Sequence, residues 1–556
     1  MSLGDFTDRR IAPAIRPYRR QWLRGDILAG LAAGAVVIPQ AMAYATVAEM
    51  PVQVGLYTCM LPLVVYAFIG GSRTASVTTT STIATLTASA MVAAGIAADS
   101  PDRQARLTTL TLMVGVILLA ARLLRLASVV ENISAATVVG IKAGVGLTVA
   151  ATQLPKLFGL PTESAESGFF RTLWSVVGQL ERANVATVLL AAGCIALLLL
   201  VAKYIPAIPG PLVVVVISIA LAAFTPLTER GVPLIPEVPQ GIPMPQLPDL
   251  THVGALIPSA LAIALMAFLE TVSVARGVRR ADEPRIDPDR ELSATGLAAL
   301  VSGLFQALPP AAGFSQTGVN LRCGARSQLA GLVTAALAVV TALYFAPVLG
   351  LLPQATLGAM VLVATLGLID LGALIALYRF DKVEFALALT VTAFGLFFGL
   401  LPAVAVGVVL TLYLVLREIN HAHVAQVVRH DDEAWVELNE NSPLRPATPT
   451  VLRFGVGLYA ANMQSNAVAV HSLILAADPR PSEVLLDLSR LPRISSTVLG
   501  GLRDLEEDLR RDGVQVWYTA LRESVRATAR RWPWWEQVES EGRYFDDLDD
   551  AASDRR

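Results

Sequence analysis

Two stretches of hydroxyl and amide side chains interrupt an otherwise apolar sequence. Residues 76–82 read Ser-Val-Thr-Thr-Thr-Ser-Thr, six of the seven being Ser or Thr, and residues 315–317 read Ser-Gln-Thr. Neither stretch carries a charge. Side chains of this kind offer hydrogen bonds without the cost of burying an ion. A short helix starting near Thr78 and another near Ser315 would each leave first-turn N–H groups without an intrahelical acceptor. Those donors and the positive end of the helix dipole make an anion site. Thr78, Thr79, Thr80, Ser315, Gln316 and Thr317 are therefore candidate anion ligands. The plainer reading of one such stretch is helix packing, with Ser and Thr bonded to the preceding turn. Two stretches, each in the third apolar segment of its half of the chain, favour a shared site.

Three more residues break the apolar pattern. Gln40 follows Pro39 in LAAGAVVIPQAMAYATVAEMP, where the proline removes a ladder donor and predicts a broken first helix with Gln40 lining a cavity. Glu270 lies well inside LIPSALAIALMAFLETVSVARG. A carboxylate there is costly, so it is read as functional unless it pairs with a neighbouring helix or is held neutral. Lys142, in VVGIKAGVGLTVAATQLP, falls a turn or two inside its segment. It either snorkels to the surface or supplies positive charge to the anion.

The elements that must position these residues are membrane spans. The chain has 556 residues, 54% hydrophobic and 16% charged, against about 25% charged in a soluble domain. Apolar runs of spanning length recur from Ile27 to Leu416. Spans are expected near 27–47, 52–69, 77–97, 107–121, 127–150, 184–202 and 211–225, and again near 255–275, 292–306, 309–323, 327–348, 354–370, 384–400 and 402–416. Arginines 9, 10, 16, 19, 20 and 24 place the N-terminal arm in the cytoplasm. Inner loops then hold Arg73, Arg122, Arg125, Lys203 and the run from Arg276 to Arg290, while Lys156, Arg171 and Arg182 fall outside. Fourteen spans leave both ends cytoplasmic. Two groups of seven, an odd number, have opposite orientations, the arrangement of inverted-repeat transporters. The fold expected is a polytopic α-helical membrane protein of two inverted seven-span repeats with a C-terminal α/β domain. Its parts are an arm (1–25), a transport domain (26–417, with repeats 26–225 and 252–417), a linker (418–450), the α/β domain (451–540) and an acidic tail (541–556).

The N-terminal arm shows no cleavable signal pattern. Cys59, Cys194 and Cys323 have no metal-ligand spacing and are read as packing residues. His421, His423 and His430 cluster in the linker, where a solvated linker is favoured over a metal site. There is no nucleophile–base pair, P-loop or basic tract, so neither an enzyme, a cofactor nor a nucleic-acid partner is expected. From Val451 the pattern is strand, helix, strand EVLLDLS, an amphipathic helix from about Ser496, and strand VQVWYTA. Leu499, Leu502, Leu505 and Leu509 line one face of that helix.

Several separated motifs together resemble the SulP anion transporters, the sulfate permease family. They are RGDILAGLAAGAVVIPQAMAYATVAEMPVQVGLY, LPLVVYAFIGGSRTASV, GFSQTGVNLRCGARSQLAGLVTA and LLPQATLGAMVLVATLGLIDL. The resemblance spans residues 20–530. It implies two inverted repeats, a core domain moving against a gate domain, an anion between the half-helices of spans three and ten, a homodimer, and a cytoplasmic STAS domain. It assigns Glu270 to coupling with a proton or Na⁺, the proton favoured, and it places Gln40 at the same cavity. The resemblance implies a secondary active transporter of sulfate, bicarbonate or a dicarboxylate in the cell membrane. An anion exchanger, a channel-like pathway and a non-transporting sensor are the alternatives. Many family members carry arginine where this chain has Gln316, which directs attention to Lys142 as the replacement charge. In LLDLSRLPRISSTVLGGL, Ser495 replaces the family's aspartate, so Ser496 is read as a helix cap.

Overall fold

The computed structural model describes residues 14, 18–97, 100–127, 134–160, 169–205, 210–281, 283–367, 369–430, 434–438, 450–455 and 457–553. The chain divides into two units, Met1–Thr411 and Leu412–Arg556.

The first unit opens with α1 (Leu23–Val47), α2 (Val52–Thr58) and α3 (Leu61–Ile69). It continues with strand β1 (Val77–Thr78), α4 (Ser81–Ala93), α5 (Arg103–Leu123), α6 (Ala135–Phe158), α7 (Phe169–Gln179), α8 (Val185–Tyr204) and α9 (Gly210–Phe224). The second half repeats that order. It runs α10 (Val253–Gly277), α11 (Pro288–Leu304), strand β2 (Ala311–Ala312), α12 (Phe314–Arg322), α13 (Leu329–Val340), α14 (Ala346–Leu349), α15 (Gln354–Leu366), α16 (Leu371–Phe380), α17 (Lys382–Phe398) and α18 (Leu400–Asn420). Among the described residues, nine helices are long and apolar enough to cross a membrane. The remaining expected spans coincide with α4, α9, α11, α12 and α17. Two of those, α4 and α12, are too short to cross alone and are preceded by a strand.

The packing repeats under exchange of the halves. α1 packs on α13 as α10 packs on α5, α1 on α12 as α10 on α4, and α6 on α17 as α8 on α15. The pairs α3–α11, α6–α15 and β1–β2 join equivalent elements directly. Helices α1 and α10 each have 25 residues, and Gln40 and Glu270 are each the eighteenth. The halves share packing rather than sequence, because lipid and helix contacts ask only for apolar and small residues. Gly55 illustrates this: a Cβ there would lie 2.1 Å from Ala41 O, so only glycine lets α2 approach α1 beside Gln40.

Two expectations change. α1 is unbroken through Pro39, which lies inside it. One missing N–H is tolerated when neighbouring helices enclose the backbone, and the residues around Pro39 are buried. Lys156, expected in a loop, sits in the last turn of α6, which continues to Phe158 before Gly159 ends it at φ 66°.

The second unit is a six-stranded sheet of order β4-β3-β5-β6-β7-β8, with β3 (Val424–His430), β4 (Ala434–Glu437), β5 (Thr450–Phe454), β6 (Glu483–Asp487), β7 (Gln515–Thr519) and β8 (Tyr544–Phe545). β5 to β8 are parallel and β3 and β4 antiparallel. Residues 424–430 and 434–437, inside the stretch expected as linker, thus form one edge of the sheet. Their alternating pattern was too short and too polar to mark as strands. Parallel neighbours require crossovers, made by α19 (Met463–Ala476), α20 (Ser496–Arg511), α21 (Glu523–Ala529) and α22 (Pro533–Ser540); α23 (Leu548–Ser553) follows β8. Leu499, Leu502, Leu505 and Leu509 are buried, as their spacing predicts.

Candidate functional site

The centre of the first unit is a two-residue antiparallel pair, Val77 opposite Ala312 and Thr78 opposite Ala311. Each strand runs directly into a half-helix. α4 begins at Ser81 with Thr80 as its N-cap, and α12 begins at Phe314 with Gly313 as its N-cap. The first half-helix therefore starts three residues later than expected. β-branched Val77 and Thr78 favour the extended backbone, and pairing with β2 satisfies peptide groups of these buried residues.

The turn leading into β1 is held by the other half of the chain. Gly71 N–H and Tyr66 Oη–H donate to the Glu291 carboxylate at 3.0 and 2.8 Å. Gln328 Nε2 donates to Ser72 O and Ala75 O, and Asn320 Nδ2 to Thr74 O. Ser76 N–H donates to Thr317 Oγ1 at 3.0 Å, and Ala312 N–H donates to Thr271 Oγ1 at 3.1 Å.

Most of the expected ligands meet here. Thr78 Oγ1 donates to Gln316 Oε1 at 2.8 Å, and Gln316 Nε2 donates to Thr79 O at 3.0 Å. Gln316 is therefore a brace between the two half-helices. Thr80 Oγ1 donates to Glu270 Oε2 at 2.7 Å and accepts Ile83 N–H at 3.3 Å. Glu270 is buried at 7% exposure, and Thr78, Thr79, Thr80, Gln316 and Thr317 are buried with it. The Thr79 hydroxyl is buried without a hydrogen-bond partner among the described residues. Ser315 lies in the first turn of α12; its side chain is outside the described residues.

Gln40 and Lys142 come from flanking helices. Gln40 Nε2 donates to Tyr44 Oη at 2.7 Å. Tyr44 and the ammonium of Lys142 lie within electrostatic range of the Glu270 carboxylate. Lys142 Nζ also lies 5.4 Å from the centre of the Phe314 ring, at the start of α12. Tyr44, Thr271 and Phe314 escaped the sequence reading. The first stands one helical turn after Gln40, a spacing that places both on one face; the others adjoin residues already singled out. A separate cleft of about 830 Å³ between α4, α10, α17 and α18 is lined by Pro258, Leu265, Phe397, Phe398 and Val404. Its walls are mainly apolar, with Ser89 and Thr148, and exclude the hydroxyl cluster.

The two half-helix N-termini thus converge with a hydroxyl to spare, one carboxyl and one ammonium nearby. Donors of this kind suit an anion; among the described residues no metal-binding cluster occurs. The sulfate permease family model matches residues 23–392, and the STAS domain model matches residues 417–551. The chain belongs to the sulfate permease family. A probable sulfate transporter of Mycobacterium tuberculosis is 33% identical over 527 residues, covering 93% of this chain and 92% of its own length. Probable sulfate transporter 4.2 of Arabidopsis thaliana is 28% identical over 90% of this chain and 77% of its own. In fold, the chain is similar to murine Solute Carrier 26 family member A9, an anion transporter solved in the inward-facing state. The TM-score is 0.88 at 21% identity, covering 99% of this chain and 94% of that one. The transmembrane domain of a cyanobacterium bicarbonate transporter matches at TM-score 0.60 and 22% identity, covering 70% of this chain and 98% of that one.

This sulfate permease family member is accordingly a multi-pass membrane protein with a C-terminal STAS domain. In that domain the cap of α20 is Ser495, whose Oγ accepts Val498 N–H at 3.4 Å. Ser496, expected as the cap, is the first helical residue. Ser495 holds the extended backbone, φ −119° and ψ 164°, that a cap requires.

Proposed function

We propose that this sulfate permease family member, an anion transporter, holds its anion between the N-termini of α4 and α12 and carries it by alternating access. α1–α5 with α10–α14 form a core that moves against a gate of α6–α9 with α15–α18. The observation that carries this reading is the β1–β2 pair. It sets two helix starts against one another at membrane depth, beside an unpartnered Thr79 hydroxyl. First-turn N–H groups of both helices, the Thr79 hydroxyl, Thr317 and Ser315 supply the donors. Sulfate, bicarbonate or a dicarboxylate is the substrate class. Sulfate comes first, because the relatives cited are named as sulfate transporters.

Charge counting supports coupling. Glu270 and Lys142 offset each other, so a doubly charged anion leaves the site strongly negative in a low dielectric. A proton or Na⁺ on Glu270 relieves that, the proton being favoured. Lys142, whose ammonium reaches the start of α12 from the gate, supplies the positive charge that Gln316 cannot. Fourteen spans, cytoplasmic termini, a place in the cell membrane and a homodimer complete the reading.

Purified protein in proteoliposomes, given radiolabelled sulfate, bicarbonate and succinate at two pH values with and without sodium, tests it. Concentrative uptake of at least one anion, driven by a proton or sodium gradient, is expected. Flux that only dissipates the anion's own gradient points to a channel-like pathway, and no flux of any of the three overturns transport.

A further inference from the structure

Thr80 was expected to be an anion ligand, but its single hydroxyl proton is spent elsewhere. Oγ1 donates to Glu270 Oε2 at 2.7 Å, and the same atom accepts Ile83 N–H at 3.3 Å as the cap of α4. A hydroxyl has one proton and two lone pairs, so one lone pair remains. One buried atom therefore joins Glu270, the only carboxyl of the site among the described residues, to the start of α4. Thr78 and Gln316 do not share this position, since they bond across to one another and to Thr79 O. Besides Thr80, the groups that act on Glu270 from other elements are the Thr82 hydroxyl on α4, the Tyr44 phenol on α1 and the Lys142 ammonium on α6. Among the described residues, α4, α5, α11 and β2, packed on α10, bring no charged side chain to it.

We propose that Thr80 is the binding residue that links the charge on Glu270 to anion affinity. This rests on the transport reading above. With Glu270 ionised, the Thr80 proton is committed to the carboxylate by a charge-assisted bond. When a proton from solvent binds Glu270 Oε2, the new O–H becomes the donor and Thr80 Oγ1 accepts it through its remaining lone pair. The Thr80 O–H then turns toward the start of α4, where it donates to the anion. Ile83 N–H stays capped throughout. The only covalent change is the O–H formed on Glu270, and that proton returns to solvent when the anion leaves. Anion and proton thus bind together because one hydroxyl cannot serve the carboxylate and the anion at once.

The test is the pH dependence of KM for radiolabelled sulfate, bicarbonate and succinate in proteoliposomes, at mildly acidic and at neutral pH. For the wild type, KM of the transported anion falls by roughly tenfold on acidification, the worth of one hydrogen bond to a charged group. Thr80→Ser keeps that dependence. Thr80→Val loses most of it. Thr80→Asn, which still caps a helix but divides donor and acceptor between two atoms, loses it too, and guards against a misfolded valine variant. Glu270→Gln is flat at low KM, and adding Thr80→Val to it raises KM roughly tenfold without restoring a slope. A wild-type pH profile in both Thr80→Val and Thr80→Asn overturns the relay and leaves the transport reading intact. Uptake by the wild type with no pH dependence overturns proton coupling and the relay, but not transport. Uptake of none of the three anions by the wild type overturns the transport reading and the relay with it.

Discussion

In the proposed reading, Lys142 and Gln316 divide between them what one arginine would do. Gln316 uses its oxygen on Thr78 and one N–H on Thr79 O, so it aligns the two half-helices. An amide does this without adding charge, and the proposal assigns the charge to Lys142, whose Nζ lies 5.4 Å from the Phe314 ring centre. Lysine is a flexible point charge, and here it stands on α6 rather than on the half-helices. Lys142→Ala is therefore expected to raise the KM for the transported anion by roughly tenfold, with partial recovery in Lys142→Ala/Gln316→Arg. Uptake assays on both variants check this, and unchanged affinity in the single variant excludes the role.

At the scale of elements, residues 226–252 act as a strap tied down at several points. Ile235 N–H donates to Leu352 O, Gly241 N–H to Ala342 O, and Gln246 N–H to Leu304 O. Its end is fixed by Asp249, which accepts Arg106 Nε–H at 3.1 Å, while Thr109 Oγ1 donates to Asp249 O at 2.7 Å. Hydrogen bonds from the Thr251 N–H and hydroxyl, then from Arg106, hold the Asp249 carboxyl down at about 2. A depressed carboxylate stabilises fully above its unfolded value, near 3.9, and loses that contribution as pH falls through about 2. The strap is thus expected to keep one level of hydrogen-exchange protection from mildly acidic to mildly basic pH, after correction for intrinsic rates. Asp249→Ala should lower protection of residues 244–252 at every pH in that range. A wild-type strap that loosens between pH 5 and 7 would contradict the assignment.

At the scale of the whole molecule, the two units have separate cores. The second is built on the faces of its sheet, with Trp535 at 0% exposure among Tyr518, Trp534 and Tyr544. Trp535→Ala is expected to destabilise this unit by about 3–5 kcal/mol. Differential scanning calorimetry of the full chain should show one transition shifted down and the transition of the membrane unit unmoved.

Sequence alone determined what depends on residue type and local period. The apolar runs, the basic bias between them, the helical face from Leu499 to Leu509 and the strands EVLLDLS and VQVWYTA were legible because lipid and packed cores select side chains by polarity. The unusual residues of the site were legible for the converse reason: hydroxyls, an amide and a carboxyl are costly in hydrocarbon, so each is conspicuous there. Tertiary structure alone decided which of them touch. Nothing local shows that β1 pairs with β2 across more than two hundred residues, that α4 starts only at Ser81, or that α1 continues through Pro39. Nothing local shows that Gln316 is a brace, or that the Thr80 hydroxyl donates to Glu270. Those outcomes follow from satisfying backbone groups and most side-chain donors inside a packed membrane domain, and that is settled between elements rather than within them.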